Sequence, residues 1–133
     1  MKPLFITILL ATALFSCTQA ESNSHKNASQ QATFESVNVE KFDSIICDTT
    51  GVILLDVRTA QEYADGHIDR AINIDVKRDD FDSIANSTLV KEKTIAVYCR
   101  SGRRSKTASE KLANNGYKVV ELDSGYNGWT EYK

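Results

Sequence analysis

One short segment of the chain places a nucleophilic side chain among basic ones. Around Cys99 the sequence reads VYCRSGRRS, so Arg100, Arg103 and Arg104 all lie within five positions of the thiol. Neighbouring positive charge lowers the pKa of a cysteine and favours the thiolate, which is the nucleophilic form. Gly102 permits a backbone turn that would aim successive N–H groups at one point. The pattern predicts a thiolate nucleophile in an anion-binding loop.

The simpler interpretation is that Cys99 is a buried residue at the end of a strand and that the arginines are solvated. A single cysteine usually is a small buried hydrophobe. A core cysteine, however, does not require three arginines, a glycine and a helix start in its immediate neighbourhood. We therefore favour the functional interpretation.

Two secondary-structure elements must position this loop. The apolar run TIAVY over 94–98 predicts a strand buried on both faces, and residues 103–115 predict a helix that ends at Gly116. Reactive groups of parallel sheets lie at the carboxyl ends of strands, and helix N-termini attract anions. Cys99 falls between the strand and the helix, where both effects act together.

Strand and helix patterns alternate through the rest of the chain. Five further elements are predicted: a helix behind Asn38 with Val39, Phe42, Ile45 and Ile46 inward, a buried strand over 52–55, a short helix opened by a Thr59–Glu62 capping box and closed by Gly66, a strand over 71–74 and a helix over 79–86. A strand over 118–122 and a closing turn or helix at 128–129 complete the series. This alternation predicts an α/β domain with a largely parallel sheet.

Composition excludes several classes of protein. The chain has 133 residues, enough for one domain, and 16 basic against 18 acidic residues give a net charge of -2. Nucleic-acid binding is not expected, because there is no basic excess. Three cysteines and two histidines are too few for a disulfide scaffold and lack the spacing of metal ligands.

The N-terminal segment predicts export and lipidation. Residues 3–15 are an apolar run too short to span a bilayer, and the run ends in Leu-Phe-Ser-Cys. This ending resembles the lipobox of bacterial lipoproteins, which implies that residues 1–16 are a signal peptide cleaved before Cys17 and that Cys17 carries the lipid. The alternative is an ordinary signal cleaved a few residues later. We expect a lipid anchor in the bacterial cell envelope, on the periplasmic face or the outer membrane.

Between this anchor and the domain, the sequence predicts a tether. Residues 17–33 are rich in Ser, Asn, Gln and Ala and lack large apolar side chains, so they cannot bury enough surface to fold. The folded unit is expected over 34–133. That length suits one hydrophobic core.

Over almost all of this unit the sequence resembles the rhodanese-like sulfurtransferases. The matching pieces, in order, are Leu55-Asp56-Val57-Arg58, Glu62-Tyr63, Gly66-His67-Ile68, Ala71-Ile72-Asn73-Ile74, the loop Cys99-Arg100-Ser101-Gly102-Arg103-Arg104-Ser105, and Gly125 with Gly128-Trp129. Each piece is weak alone, but the order and spacing together are specific. The resemblance implies a three-layer α/β domain with a mainly parallel central sheet of about five strands flanked by helices.

The resemblance also implies a chemistry. In the family the loop cysteine takes a sulfane sulfur from a donor such as thiosulfate, becomes a persulfide and passes the sulfur to a thiophilic acceptor such as cyanide or a thiol. Cys99 would be the nucleophile. The substrate-binding residues would be those of the following loop: Arg100, Ser101, Gly102, Arg103, Arg104 and Ser105. No metal or organic cofactor is expected, and the protein is expected to be monomeric.

Two other functions remain open. Many domains of this fold act as sulfur carriers or protein-binding modules, although inactive versions usually lack the loop cysteine that this chain keeps. Related phosphatases and arsenate reductases share the fold, but the phosphatases need a loop of cysteine, five residues and arginine. Here Arg104 follows Cys99 after four residues. The shorter cradle suits a sulfur atom better than a tetrahedral phosphate, which argues against the phosphatase.

Five residues outside the loop could have structural or functional roles. In the structural interpretation, Arg58 pairs with Glu62 or Asp65 and fixes the next turn. In the functional interpretation, Asp56 hydrogen-bonds the active loop or its arginine. His67 is expected to be structural, since a thiolate of depressed pKa needs no separate base. Trp129 is expected in the core rather than as a wall of the site. Cys47 is expected to be a small buried hydrophobe.

Overall fold

A computed structural model describes residues 32–133 of the chain. The predicted signal peptide, Cys17 and nearly all of the predicted tether lie outside the described residues, so those predictions stay untested. The elements, in chain order, are β1 (Glu35–Val37), α1 (Val39–Ile46), β2 (Val52–Asp56), α2 (Ala60–Ala64), β3 (Ile72–Asn73), α3 (Phe81–Thr88), β4 (Thr94–Tyr98), α4 (Arg103–Asn114), β5 (Lys118–Leu122) and α5 (Gly125–Tyr132).

The strands form one parallel sheet in the order β1-β5-β4-β2-β3. This confirms the predicted parallel α/β sheet of about five strands. β4 lies at the centre, between β5 and β2, and the chain returns to it only after it has built the edge strand β3. Such a reversal of strand order opens a crevice at the carboxyl ends of the strands. Cys99, directly after β4, lies at that position.

The central strand divides its side chains between two cores. Ile95, Val97 and Cys99 belong to the core cluster that α3 and α4 cover, whereas Ala96 and Tyr98 belong to the cluster that α1, α2 and α5 cover. The period of two follows from the strand geometry. Because both faces of β4 are covered, its sequence is continuously apolar, as the TIAVY run predicted.

Local capping signals in the sequence are confirmed. Asn38 Oδ1 accepts a hydrogen bond from the backbone N–H of Lys41 at 3.0 Å, which caps α1. Thr59 and Glu62 form a reciprocal capping box at the start of α2, with distances of 3.2 and 3.0 Å. Each bond satisfies a backbone donor that the first turn of a helix leaves free.

Some expectations at the periphery need correction. Cys47 is exposed rather than buried, because it caps α1 one residue beyond the buried Ile46 and so points away from the core. β1 was not predicted: it has three residues, of which only Val37 is buried, too few for a readable pattern. The predicted strand over 71–74 is reduced to Ile72–Asn73, and the predicted helix over 79–86 starts at Phe81.

Within residues 32–133, no helix combines the length and the apolar character needed to cross a membrane.

Candidate active site

Cys99 is almost fully buried at the floor of the crevice, with 1% of the residue exposed. The backbone N–H of Gly102 donates a hydrogen bond to its Sγ atom at 3.2 Å. The thiol in turn donates to Ser105 Oγ at 3.4 Å. The sulfur is therefore enclosed by the polar groups of its own loop, as the sequence predicted.

The loop makes this thiol more acidic than an ordinary cysteine. Burial of Cys99 by itself raises the pKa, since it disfavours the charged form. The Ser105 hydroxyl and the backbone N–H groups of Ser105, Ser101 and Gly102 act in the opposite direction and outweigh burial, so the net pKa of Cys99 is lowered. Hydrogen-bond donors thus stabilise the thiolate here. The arginines named from the sequence are not the main cause of the shift.

Two glycines make the close approach of the loop possible. Gly102 has a φ of 92°, and a Cβ atom there would lie 2.0 Å from the backbone oxygen of Asp123. Gly125 has a φ of 62°, and a Cβ atom there would lie 2.5 Å from the backbone oxygen of Arg100. Side chains are excluded at both positions by sterics and by backbone conformation. The loop and the segment after β5 are consequently in direct backbone contact.

The start of α5 holds the active loop by two hydrogen bonds. Tyr126 N–H donates to the backbone oxygen of Cys99 at 2.7 Å, and Asn127 N–H donates to that of Arg100 at 3.0 Å. Gly125 is part of the family pattern in the sequence, but the role of the two residues after it was not predicted. The only available signal was the glycine itself.

Arg104 is held by a carboxylate of α2 rather than left free. Its Nη1 and Nη2 atoms lie 2.7 Å from Oε2 and Oε1 of Glu62. The guanidinium lowers the pKa of Glu62 to about 2, mainly through these hydrogen bonds. The pair is partly buried, with side-chain exposures of 22% and 26%. Arg104 was predicted to orient an anionic substrate, but its guanidinium already binds the carboxylate of Glu62.

The other loop arginines lie at the surface. Arg100 and Arg103 are both exposed. Arg100 lines a cleft of about 280 Å³ beside the loop, whose other lining residues are Arg58, Glu62, Asp65, Gly66, Tyr126 and Asn127. Cys99 itself is not among the residues that line this cleft.

Asp56 and Arg58 form a buried ion pair, and both expectations for them were wrong in detail. Arg58 Nη2 lies 2.6 Å from Asp56 Oδ2 and also donates to the backbone oxygen of Gly66 at 2.7 Å. Neither Glu62 nor Asp65 is the partner of Arg58, and Asp56 does not reach the active loop. The pair links the end of β2 to the turn after α2, because two residues of spacing at a strand end bring the two side chains together.

Two further side chains lie away from the loop, as expected. His67 is exposed, stacks on the ring of Tyr63 with centroids 3.8 Å apart, and has its Nδ1 atom 2.9 Å from the backbone oxygen of Tyr63. Trp129 packs on the core cluster beneath α1 and α5 and lines a surface cleft next to Cys47, not the cleft beside Arg100.

A polar cluster behind the thiol was missed by the sequence analysis. Glu121, in β5, is fully buried and contacts Ser36, Ser105 and Lys106. The only signal in the sequence was one acidic residue in an otherwise apolar strand, VVEL. Elsewhere in residues 32–133, no group of three or more His, Cys, Asp or Glu side chains has an arrangement that could hold a metal ion.

The fold and the site together define an α/β protein with a buried thiol of lowered pKa in a loop of backbone N–H donors. Residues 38–132 match the family model of the rhodanese-like domain. The chain belongs to the rhodanese-like family.

Similar proteins agree with this assignment. A protein from Allochromatium vinosum named sulfurtransferase is 32% identical over 97 residues, covering 72% of this chain and 88% of its own. The thiosulfate sulfurtransferase PspE of Escherichia coli is 39% identical over 71 residues, covering 53% and 67%. A crystal structure of a rhodanese-like domain protein from Staphylococcus aureus superposes with a TM-score of 0.63 at 28% identity, covering 72% and 91%. These similarities support sulfurtransferase activity in general.

Proposed function

We propose that this protein transfers a sulfane sulfur from a small anionic donor such as thiosulfate to a thiophilic acceptor, through a persulfide on Cys99. The observation that carries the proposal is the thiol itself. It is buried, its pKa is lowered, and Gly102 N–H and Ser105 lie at 3.2 and 3.4 Å from the sulfur. Groups that stabilise a thiolate would equally stabilise a terminal persulfide anion.

The reaction balances without a cofactor. The Cys99 thiolate attacks the outer sulfur of thiosulfate, a new S–S bond forms, and the donor's own S–S bond breaks with its electron pair leaving on sulfite. The product is an anionic persulfide, so the total charge is unchanged. A cyanide ion or a thiolate then attacks the outer sulfur of the persulfide and releases the Cys99 thiolate.

The arginines would attract and bind the anionic donor and would take no part in the bond changes. Arg100 and Arg103, which are exposed, would attract the donor to the crevice. Arg104 would bind the anion only when the carboxylate of Glu62 gives way to it. The short loop, with four residues between Cys99 and Arg104, would fit the sulfur end of the donor.

The experiment is thiocyanate formation from thiosulfate and cyanide by the purified full chain. We expect activity in the wild type and in Cys47→Ser, which removes an exposed thiol, and none in Cys99→Ser. Wild-type activity that survives in Cys99→Ser would overturn the mechanism. A screen of other donors and acceptors on the same three proteins would identify the physiological pair.

Two alternatives are distinguished by separate measurements. A sulfur carrier would gain the mass of one sulfur atom on Cys99 but turn over poorly, whereas a pure binding module would gain none. A phosphatase or arsenate reductase would hydrolyse an aryl phosphate or reduce arsenate with loss of activity in Cys99→Ser. The four-residue spacing of the loop argues against the phosphatase.

We also propose that Cys17 carries a lipid that anchors the protein in the bacterial cell envelope. The proposal is supported by the apolar run over 3–15 and by the cysteine that follows it. Buried methylenes stabilise such an anchor by about 0.8 kcal/mol each. Metabolic labelling with a palmitate analogue should mark the wild type and not Cys17→Ala, and equal labelling of both would refute the anchor.

A further inference from the structure

A buried carboxylate lies directly behind the reactive thiol. Glu121 has no exposed surface, and its Oε1 and Oε2 atoms accept hydrogen bonds from Ser105 Oγ at 2.6 Å and from Ser36 Oγ at 2.5 Å. Lys106 Nζ lies 3.5 Å from Oε1. Two hydroxyl donors and an ammonium are suitable partners for a carboxylate, whose burial without them would be costly. The sulfur-transfer steps make no use of this charge.

Ser105 connects the carboxylate to the thiol. Its Oγ atom lies 3.4 Å from Cys99 Sγ and 2.6 Å from Glu121 Oε1. A serine hydroxyl has a single proton to donate. In this arrangement that proton is directed to Glu121, so Ser105 accepts the thiol proton of Cys99. After Cys99 ionises, its sulfur can only accept hydrogen bonds. Ser105 can donate one to the sulfur only if it gives up its hydrogen bond to Glu121.

We propose that Glu121 is a positioning residue that competes with Cys99 for the single hydroxyl proton of Ser105 and thereby limits how readily the thiol ionises. The significance of this competition for catalysis rests on the proposed sulfur transfer, whereas the competition itself is a property of the thiol. When the Ser105 hydroxyl donates to a thiolate or persulfide on Cys99, Glu121 loses that hydrogen bond. Ser36 and Lys106 then remain as the partners of its carboxylate.

Other charged groups around the site set the background for this competition. From α4, Arg104 interacts electrostatically with Cys99, and Lys106 contacts both Glu121 and the backbone oxygen of Gly102. The remaining titratable and charged groups of the loop and of the segments next to it are Arg100 and Arg103 of the loop, Glu62 of α2, Asp56, Arg58, Tyr98, Asp123 and Tyr126. The variants below leave all of these unchanged.

The first test measures the rate of Cys99 alkylation by iodoacetamide as a function of pH. It uses the full chain with Cys17→Ser and Cys47→Ser, so that Cys99 is the only thiol. In Glu121→Gln, we expect the midpoint to move to lower pH, so that alkylation below the wild-type midpoint becomes about three to ten times faster. Ser105→Ala should move the midpoint to higher pH. In the Ser105→Ala background, Glu121→Gln should shift the midpoint by less than half as much as it does when Ser105 is present.

A second test does not depend on the folding of Glu121→Gln. Ser36 is exposed on the edge strand β1, so Ser36→Ala leaves the core intact. With one donor gone, Glu121 holds the Ser105 proton more tightly, and the thiol midpoint should rise. Ser36→Thr retains the hydroxyl and should keep the wild-type midpoint. Both variants keep Ser105 and Lys106 as partners of Glu121, so the comparison isolates the hydroxyl at position 36.

The outcomes are decisive in both tests. A midpoint that is unchanged or higher in Glu121→Gln, or a shift of equal size with and without the Ser105 hydroxyl, overturns the proposal. If Glu121→Gln does not fold, equal midpoints in Ser36→Ala and Ser36→Thr overturn it. Failure of the proposed function would appear separately, as a wild type that forms no thiocyanate while the alkylation midpoints still shift as expected.

Discussion

Glu62 and Arg104 form a two-point ion pair at the mouth of the crevice, with both N–O distances at 2.7 Å. Glu62 also caps the start of α2 through Thr59, so its carboxylate is fixed in place before any ligand arrives. An anionic substrate must therefore displace a carboxylate to bind Arg104. The backbone N–H groups of Ser101, Gly102 and Ser105, by contrast, face the sulfur of Cys99 and not a carboxylate.

Removal of this competitor should tighten binding of an anionic donor. In Glu62→Gln, Arg104 loses its charged partner, and we expect the KM for thiosulfate to fall about three- to tenfold, with a smaller change in kcat. Thr59→Ala is the matched control, since it disrupts the capping box but leaves the ion pair. A KM that falls equally in both variants would attribute the effect to α2 and contradict this prediction.

The same ion pair should make stability depend on pH in the acid range. The pKa of Glu62 is about 2 in the folded protein and 4.5 for an unperturbed glutamate. Because the folded-state pKa is the lower one, the contribution is present above pH 4.5 and is lost as the pH falls towards 2. We expect urea unfolding to show Glu62→Gln less stable by about 1–2 kcal/mol at pH 7, after allowance for partial solvent screening. A difference that persists at pH 2 would refute the assignment.

Breaking the buried Asp56–Arg58 pair should be far more damaging than breaking an exposed one. Asp56→Ala leaves a guanidinium that is 4% exposed without its carboxylate, and we expect a loss of about 3–5 kcal/mol in the free energy of unfolding. Asp80→Ala removes the exposed partner of Arg78 and should cost far less, because solvent screens an exposed ion pair. Chemical denaturation of both variants tests this, and similar losses would contradict it.

A comparison of two glycines distinguishes the effect of backbone strain from the effect of a steric clash at the active loop. Gly102 and Gly116 have φ values of 92° and 87°, but a Cβ atom at Gly102 would meet a backbone oxygen at 2.0 Å, whereas one at Gly116 has no contact closer than 3.8 Å. Gly116→Ala should cost about 1–2 kcal/mol of stability and leave Cys99 reactivity unchanged. Gly102→Ala should lower the rate of Cys99 alkylation at pH 7 at least about tenfold, because the N–H that faces the sulfur must move. Equal alkylation rates in the two variants would rule this out.

The parts of the fold that follow continuous local patterns were predictable from the sequence. The β4 run TIAVY, the Asn38 cap and the Thr59–Glu62 capping box all have signals within a few residues, and the structure reproduces them. Cys99 was found for the same reason, since its loop is one contiguous segment. Its catalytic role stays a prediction.

The partners of the site were not predictable, because they depend on contacts between distant segments. Arg104 pairs with a residue 42 positions away, and Ser36 reaches Glu121 across 85 positions. No local pattern encodes such pairs. Cys47 was misplaced because cysteine is usually a buried residue type, whereas its burial here depends on which way the end of α1 faces.

The attachment of α5 to the active loop has a consequence for biosynthesis. Tyr126 and Asn127 donate the hydrogen bonds that hold the backbone of Cys99 and Arg100. When the ribosome has synthesised the chain only through β5, every residue of the active loop is present, but Tyr126 and Asn127 are not. The backbone of Cys99 and Arg100 therefore gains these two hydrogen bonds only after residues 126 and 127 have been translated and α5 has packed against the loop.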